Sequence, residues 1–529
     1  MKIHNIPFKQ TGYFSNLICD YLDKKEGLTS FYEGYPSING FRKQLELKQN
    51  FSVKNRTVLV DSLQNQYKSI SVSKGTSENV KLLKQDTTFT ITTGHQLNIF
   101  TGPLYFLYKI VSVINLTKQL KTEFPSKNFV PVYWMATEDH DFEEINYFNF
   151  KGQKVLWNRE SSGGVGRLDL EGFDSVFEAF SNKLGNSTNA NYIKQLFKNA
   201  YLKHSNLTEA TRFLVNELFG KYGLVIVDGD DTNLKELFVP VVKEELLKTT
   251  SFIKVSETNE KLSDSYKIQV NPREINLFYL KNNLRERIVK DGELYKVNNT
   301  TITFSEEEIL NEVENYPKRF SPNVILRPVY QEVILPNLAY IGGGGELAYW
   351  FQLKSNFSSL EIPFPILMLR NSVLLITEKQ KKKLDKLNIS IDEIFYKQEV
   401  LINKKVKEIS EVNIDFTNQK LFLQEQFKAL KKVALKTDKS FEGAVNAQEK
   451  KQLNGLQKLE KRLLKAQKRK LTNEVERVKA IQNELFPNQS LEERSRNFSE
   501  YYLELGDNLI PMLLEALDPL KQQFTIVEY

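Results

Sequence analysis

Two stretches of this chain concentrate residues able to do chemistry. The first is Glu138-Asp139-His140-Asp141, with Glu143 and Glu144 close behind. Carboxylates crowded around an imidazole shift one another's proton affinity, which suits a general base or a metal ligand. Asp139, His140 and Asp141 are therefore the catalytic candidates, and Glu138 a binding one. Acidic residues also favour the first turn of a helix, and that accounts for Glu143 and Glu144. It explains the residues directly after an apolar run less well. The second stretch is TTGHQLNIFTGP, Thr92 to Pro103. Glycines after a strand let backbone amides approach a phosphate or carboxylate, and a following helix start adds a positive dipole. Thr93, Gly94, His95, Gln96, Thr101 and Gly102 are the binding candidates here. His95 could donate to a phosphate or be a satisfied structural histidine, and both readings stay open.

Two further features could hold an anion. Gly342-Gly343-Gly344-Gly345-Glu346 could form a nest of N–H groups, or equally a flexible hinge. It is neither a GxGxxG fingerprint nor a Walker loop, since no Lys-Ser/Thr follows. Arg370, at the end of IPFPILMLR, is a candidate clamp for phosphate or carboxylate. Arg273, Arg285 and Arg287 read as structural or rim charges. With four histidines, one cysteine and no CxxC or HxxxH spacing, no metal site is expected.

The elements that must position these residues are apolar runs ending abruptly in polar clusters. TTFTITTGHQ, FVPVYWMAT and YGLVIVDGDD each read as a buried parallel strand, the last closing on its own carboxylates. LYFLYKIVSVINLTKQL reads as the helix after the first, and IPFPILMLRNS as the last strand of the core. Such alternation predicts an α/β fold with a largely parallel sheet, where ligands bind beyond the carboxyl ends of the strands. Residues 1–242 are expected to hold a mostly helical N-terminal region and the first part of this core. Residues 243–320, with turns such as KDGE, read as an inserted β-rich subdomain, and 321–375 as the rest of the core. Leu456, Leu459, Leu463, Ala466, Leu471, Val475, Val478, Ile481 and Leu485 recur at near-heptad spacing, so 376–486 is expected to be a helical coiled coil. Residues 487–529 form a tail returning to the core.

Composition excludes some classes. The chain has 529 residues, 40% of them hydrophobic and 26% charged, too ordinary a balance for wholesale disorder. A net charge of +7 fits anionic small ligands and is too weak to indicate nucleic acid. The single cysteine, Cys19, the absence of a signal-peptide run and the lack of a bilayer-length apolar stretch predict a cytoplasmic protein without a membrane partner.

Taken together and in order, TGHQLNIFTGPLYFLYK, PVYWMATEDHDFEEIN, YKIQVNPREINLFYL, LAYIGGGGELAYWFQLK and LFPNQSLEERSRN resemble the BshC family, the cysteine-adding enzymes of bacillithiol biosynthesis. The resemblance spans residues 92 to 497. It implies a Rossmann-like core related to class I aminoacyl-tRNA synthetases, with a connective-peptide insertion and a C-terminal coiled coil that makes a homodimer. It also implies a ligase joining the carboxyl of cysteine to the amine of glucosaminyl-malate. The synthetase HIGH signature survives only as Gly94-His95, and NSVLLITEKQKKK holds no KMSKS-like loop. No cofactor is fixed by the residues; ATP or another nucleotide is compatible. A catalytically silent scaffold on a degenerate nucleotide-binding core is the alternative, and an adenylyltransferase that releases an activated acid is a third reading.

Overall fold

The computed structural model describes residues 1–529. Its centre is a five-stranded sheet of β1 (Thr88–His95), β2 (Asn128–Met135), β3 (Val225–Asp228), β4 (Asn337–Gly342) and β5 (Ile366–Leu369). All neighbours are parallel, in the order β5-β4-β1-β2-β3. This is a doubly wound, Rossmann-like order, and the chain reverses direction across the sheet between β1 and β4. The strands are buried on both faces, and every residue of β1 and β4 is buried, the threonines of β1 included. Helix α1 (Tyr105–Glu123) packs against β1 and β2, burying Phe106, Ile110, Val113 and Leu116 along its length.

Register aligns the strand ends. His95 pairs with Met135, and Met135 with Asp228, so three strands end in one row. Pairing between β1 and β4 stops at Thr92 and Tyr340, short of either strand's end. The two strands part there, and the gap is the topological switch point at which α/β sheets bind ligands.

The remaining elements frame that gap. An antiparallel five-stranded sheet spans Leu277 to Pro322, with its last strand, Phe320–Pro322, pairing with its first, Leu277–Lys281. The segment expected to be β-rich from residue 243 starts instead with helices, Val239–Lys248 and Thr250–Ser263, whose polar texture hid their apolar stripe. The N-terminus is not wholly helical either. Lys2–Ile6 is a strand against Phe524–Glu528, which in turn pairs with Val373–Ile376, so the two chain ends close one small sheet. Helix α2 (Arg327–Ile334) and the short α3 (Gly344–Trp350) flank β4.

Beyond residue 416 the chain forms a helical arm. Helix α4 (Thr417–Ala434) turns back on α5 (Lys439–Lys470), which runs into α6 (Thr472–Leu485). Phe427, Ala434 and Val445 make a small separate core between α4 and α5. Lys420 pairs with Glu460 across the hairpin at 2.5 Å. Val475, Val478, Ile481 and Leu485 belong instead to the main core, so the heptad pattern ends by docking on the body.

Candidate active site

A cavity of about 640 Å³ opens where β1 and β4 part. Its floor comes from the sheet and from helices α1, α2 and α3: Gly94, His95, Lys109, Arg327, Tyr340 and Glu346. Its rim comes from the loop after β2, Ala136 to Asp141, and from Arg273, Arg285 and Arg287 of the inserted segment. Every strand end except those of β3 and β5 contributes.

The floor is a closed network around one buried ion pair. Lys109, 3% exposed, sits in the middle of the apolar helix α1, with Nζ 2.6 Å from Glu346 Oε1 and donating to the Gly94 carbonyl at 2.7 Å. Glu346 Oε1 also accepts the Gly343 N–H at 2.9 Å, and Oε2 accepts the Tyr340 hydroxyl at 2.7 Å. Burial would push this carboxyl up, but Lys109 and these donors outweigh it and draw it below its ordinary range. Burial pulls Lys109 down, against the opposing pull of Glu346. Gly94 is glycine for close approach: a Cβ there would lie 3.0 Å from the Tyr340 hydroxyl. Two nitrogens on this floor have no partner, His95 Nε2 and Arg327 Nη2. Burial, then Lys109 and Arg370, hold the His95 imidazole well below its ordinary pKa, so it is neutral.

The rim is more open. Asp139 Oδ1 accepts the His140 N–H at 2.8 Å, and its Oδ2 accepts the Gln96 amide at 2.9 Å. Arg285, stacked 4.0 Å over the Phe278 ring, donates to His140 Nδ1. That contact fixes the proton of a neutral His140 on Nε2, leaving the ring no free acceptor. Of the two carboxylates beside the ring, Asp139 is the less exposed. Asp139, His140 and Asp141 have polar atoms within 4.8 Å of one another, but with the imidazole committed to Arg285 only the two carboxylates have lone pairs free for a cation.

Several expected contacts lie elsewhere. Glu138 does line the cavity, ion-paired at 2.5 Å to buried Lys235, but Thr93, Thr101, Gly102 and Arg370 do not. Thr93 points away, donating to the Ile341 carbonyl at 2.7 Å and stitching β1 to β4. Thr101 and Gly102 are not on the cavity. They form a buried left-handed turn with Phe100, and Asn497 of the tail donates to the Phe100 and Gly102 carbonyls at 2.8 and 2.7 Å. Gly102, at φ +61, is required: a Cβ would meet that of Asn98 at 2.5 Å. The run Gly342, Gly343, Gly344, Gly345 is no open nest, because the carboxylate of Glu346 caps the Gly343 N–H itself. Arg370 is not a ligand clamp. It is 5% exposed and paired with Glu493 at 2.7 Å, holding the tail to β5. Asp228, the last residue of β3, and Asp230 just beyond it face a separate groove, where Arg167 engages Asp230 through two hydrogen bonds of 2.7 and 2.9 Å.

Sequence reasoning missed Lys109, Arg327 and Tyr340. Lys109 had a signal, a lone charge inside LYFLYKIVSVINL. Arg327 carried the same signal, a lone charge inside NVILRPVY, whereas Tyr340 had none, since an aromatic in an apolar run bears no local mark of which face it serves.

Family comparisons agree with this architecture. Residues 1–371 match the model described as Bacillithiol biosynthesis BshC, N-terminal Rossmann-like domain, and residues 373–529 the one described as Bacillithiol biosynthesis BshC, C-terminal coiled-coil domain. Proteins named "Putative cysteine ligase BshC" are similar over nearly the whole chain. Those of Flavobacterium johnsoniae and Flavobacterium psychrophilum are each 58% identical, covering 99% of both chains. That of Christiangramia forsetii is 54% identical, covering 100% of this chain and 99% of its own. On two adjoining family matches that together span its length, the chain belongs to the BshC family of bacillithiol biosynthesis.

Proposed function

We propose that this chain is a ligase that joins the carboxyl of cysteine to the amine of glucosaminyl-malate, and that the β1–β4 cavity is where it does so. The observation that carries the reading is the facing of Asp139 and His140 by Arg273, Arg285, Arg287 and Arg327 in one cavity at the switch point. The arginines supply positive charge for anionic groups: substrate carboxylates, or the phosphate of a carboxyl activated by a nucleoside triphosphate. The amine nitrogen attacks the activated carbonyl carbon, the C–N bond forms, and the leaving group departs with its electron pair. Asp139 takes the proton from the amine. The Nε2–H of His140 is placed to donate to the oxygen on which negative charge develops. Lys109 and Glu346 hold the ends of β1 and β4 apart at fixed spacing below these groups. A homodimer through the helical arm fits the apolar side chains left exposed there, among them Phe422, Val433 and Leu435.

The test is a reconstituted reaction of the full-length protein with cysteine, ATP and glucosaminyl-malate, read by mass spectrometry. Bacillithiol formation is expected. Pyrophosphate release without amide product would make the chain an adenylyltransferase, and no turnover by well-folded protein would leave the scaffold reading in its place.

A further inference from the structure

A second chamber lies behind Gln96. It has a volume of about 440 Å³ and shares Gln96 and Tyr105 with the main cavity, so these two side chains form the partition between them. Its lining differs in kind from the arginine-rich cavity. Asn98, Asn149, Tyr147, Glu143 and Glu144 face it, with Arg494 as its one cation. Amides, carboxylates and an aromatic face with few apolar groups are the means by which proteins hold a small polyhydroxylated ligand, and the volume suits one.

The partition itself carries a marker. The Gln96 amide nitrogen donates to Asp139 Oδ2 at 2.9 Å and to Glu144 Oε2 at 2.8 Å. Both partners are acceptors only, so the amide must turn its NH2 end toward them. Gln96 thus fills a slot built for a nitrogen carrying two or more hydrogens between two carboxylates. A protonated amine would fill that slot better, since each hydrogen bond would then be charge-assisted. Independently of this, Asn98 is 9% exposed, donates through Nδ2 to the Glu144 carbonyl at 2.8 Å, and leaves Oδ1 with no partner. That oxygen is shielded from solvent, so a ligand donor reaches it only if the chamber wall shifts.

We propose that this chamber is the acceptor subsite: an amino sugar lies in it, and its amine displaces the Gln96 amide from between Asp139 and Glu144. Gln96 then acts as a swinging partition, a positioning residue: the ammonium leaves one proton on Glu144, and the free amine passes to the main cavity beside Asp139, which takes the second proton on attack. This deepens the ligase reading and rests on it for the identity of the second reactant, but amine binding is measured without turnover and stands apart from it.

The experiment is calorimetric titration of the full-length protein with methyl glucosaminide, methyl N-acetylglucosaminide and methyl glucoside. Saturable binding of the free amine alone is expected. Glu144→Gln should weaken it by about tenfold or more, the worth of a charge-assisted hydrogen bond. Gln96→Ala should leave it equal or tighter, because the competing amide is gone. Equal binding of the acetylated sugar, unchanged binding in Glu144→Gln, or no saturable binding by the folded chain would each overturn the subsite. Amine binding of the expected pattern with no amide product from the reconstituted reaction would fault the ligase reading instead.

Discussion

Lys109 and Arg370 are both buried cations paired to a glutamate near neighbouring strand ends, and they do different work. Lys109–Glu346 belongs to the cavity: the glutamate is 26% exposed, and both residues line the open space. Arg370–Glu493 is sealed, with side chains 6% and 0% exposed, and it joins β5 to a segment more than a hundred residues away in sequence. Glu493 also accepts from Ser372 Oγ and the Val373 N–H, so the pair welds the tail to the core. A buried cation therefore marks a site only when its partner still faces solvent. Exposure of the anion, more than the presence of the cation, separates chemistry from architecture here.

That contrast can be broken by mutation. The largest effect on stability is expected for Arg370→Met, which strands a fully buried carboxylate and should cost about 3–5 kcal/mol. Lys109→Met should cost less, about 1–3 kcal/mol, because Glu346 keeps the Gly343 N–H, the Tyr340 hydroxyl and access to solvent. Turnover should rank the other way. Lys109→Met loosens the Gly94 carbonyl and Glu346 together and should lower kcat/KM on the order of 100-fold, a usual cost of misplaced reacting groups. Thermal melting and product formation on the same two proteins decide the matter; equal losses on both scales would dissolve the distinction.

A smaller effect sharpens the same point within TGHQLNIFTGP. Asn497→Ala leaves the Phe100 and Gly102 carbonyls without their donor and should lower stability by about 1–3 kcal/mol, with kcat kept. The half of the motif on the cavity and the half behind it are then separable by experiment.

The smallest effect concerns pH. His95 is buried and its folded-state pKa is depressed, by burial first and then by Lys109 and Arg370. Neutral His95 thus contributes stability that is present above about pH 6.5, the pKa of an unfolded histidine, and is lost as pH falls below it. Replacing it by glutamine should shrink the drop in Tm between neutral pH and pH ~5.5, the range in which an unfolded histidine gains its proton. An unchanged drop would mean the imidazole is not buried neutral.

Much of this was legible in the sequence, for local reasons. Strands such as FVPVYWM and VIVD announce themselves because a sheet covered on both faces needs apolar residues at every position. EDHD was legible because titratable side chains crowded directly after such a run stand where a parallel sheet opens to ligands. What was hidden is non-local. The strand order that makes β1 and β4 part depends on partners 245 residues apart, as in the bond from Thr92 Oγ1 to Asn337 Oδ1. Thr101-Gly102 looks the same to a reader whether it faces a phosphate or Asn497, since both need a carbonyl or amide brought close by a left-handed turn. Arg370 likewise gives no local sign that Glu493 awaits it. Arg285 and Arg287 alternate along the strand Leu284–Asp291 like ordinary surface charges, and only the docking of that sheet over the core turns them to the cavity.

The central claim is that chemistry happens at the rim beside Asp139. Its most direct test is the kcat of Asp139→Asn in the reconstituted reaction, measured beside its melting curve. Asparagine keeps the shape and the acceptor for the His140 N–H, gives up only the bond from the half-buried Gln96 amide, which retains Glu144, and cannot take a proton. The account predicts a loss of about 100-fold or more in kcat, the usual worth of a general base, at unchanged Tm. Full turnover by a folded Asp139→Asn protein would contradict it and move the site away from this loop.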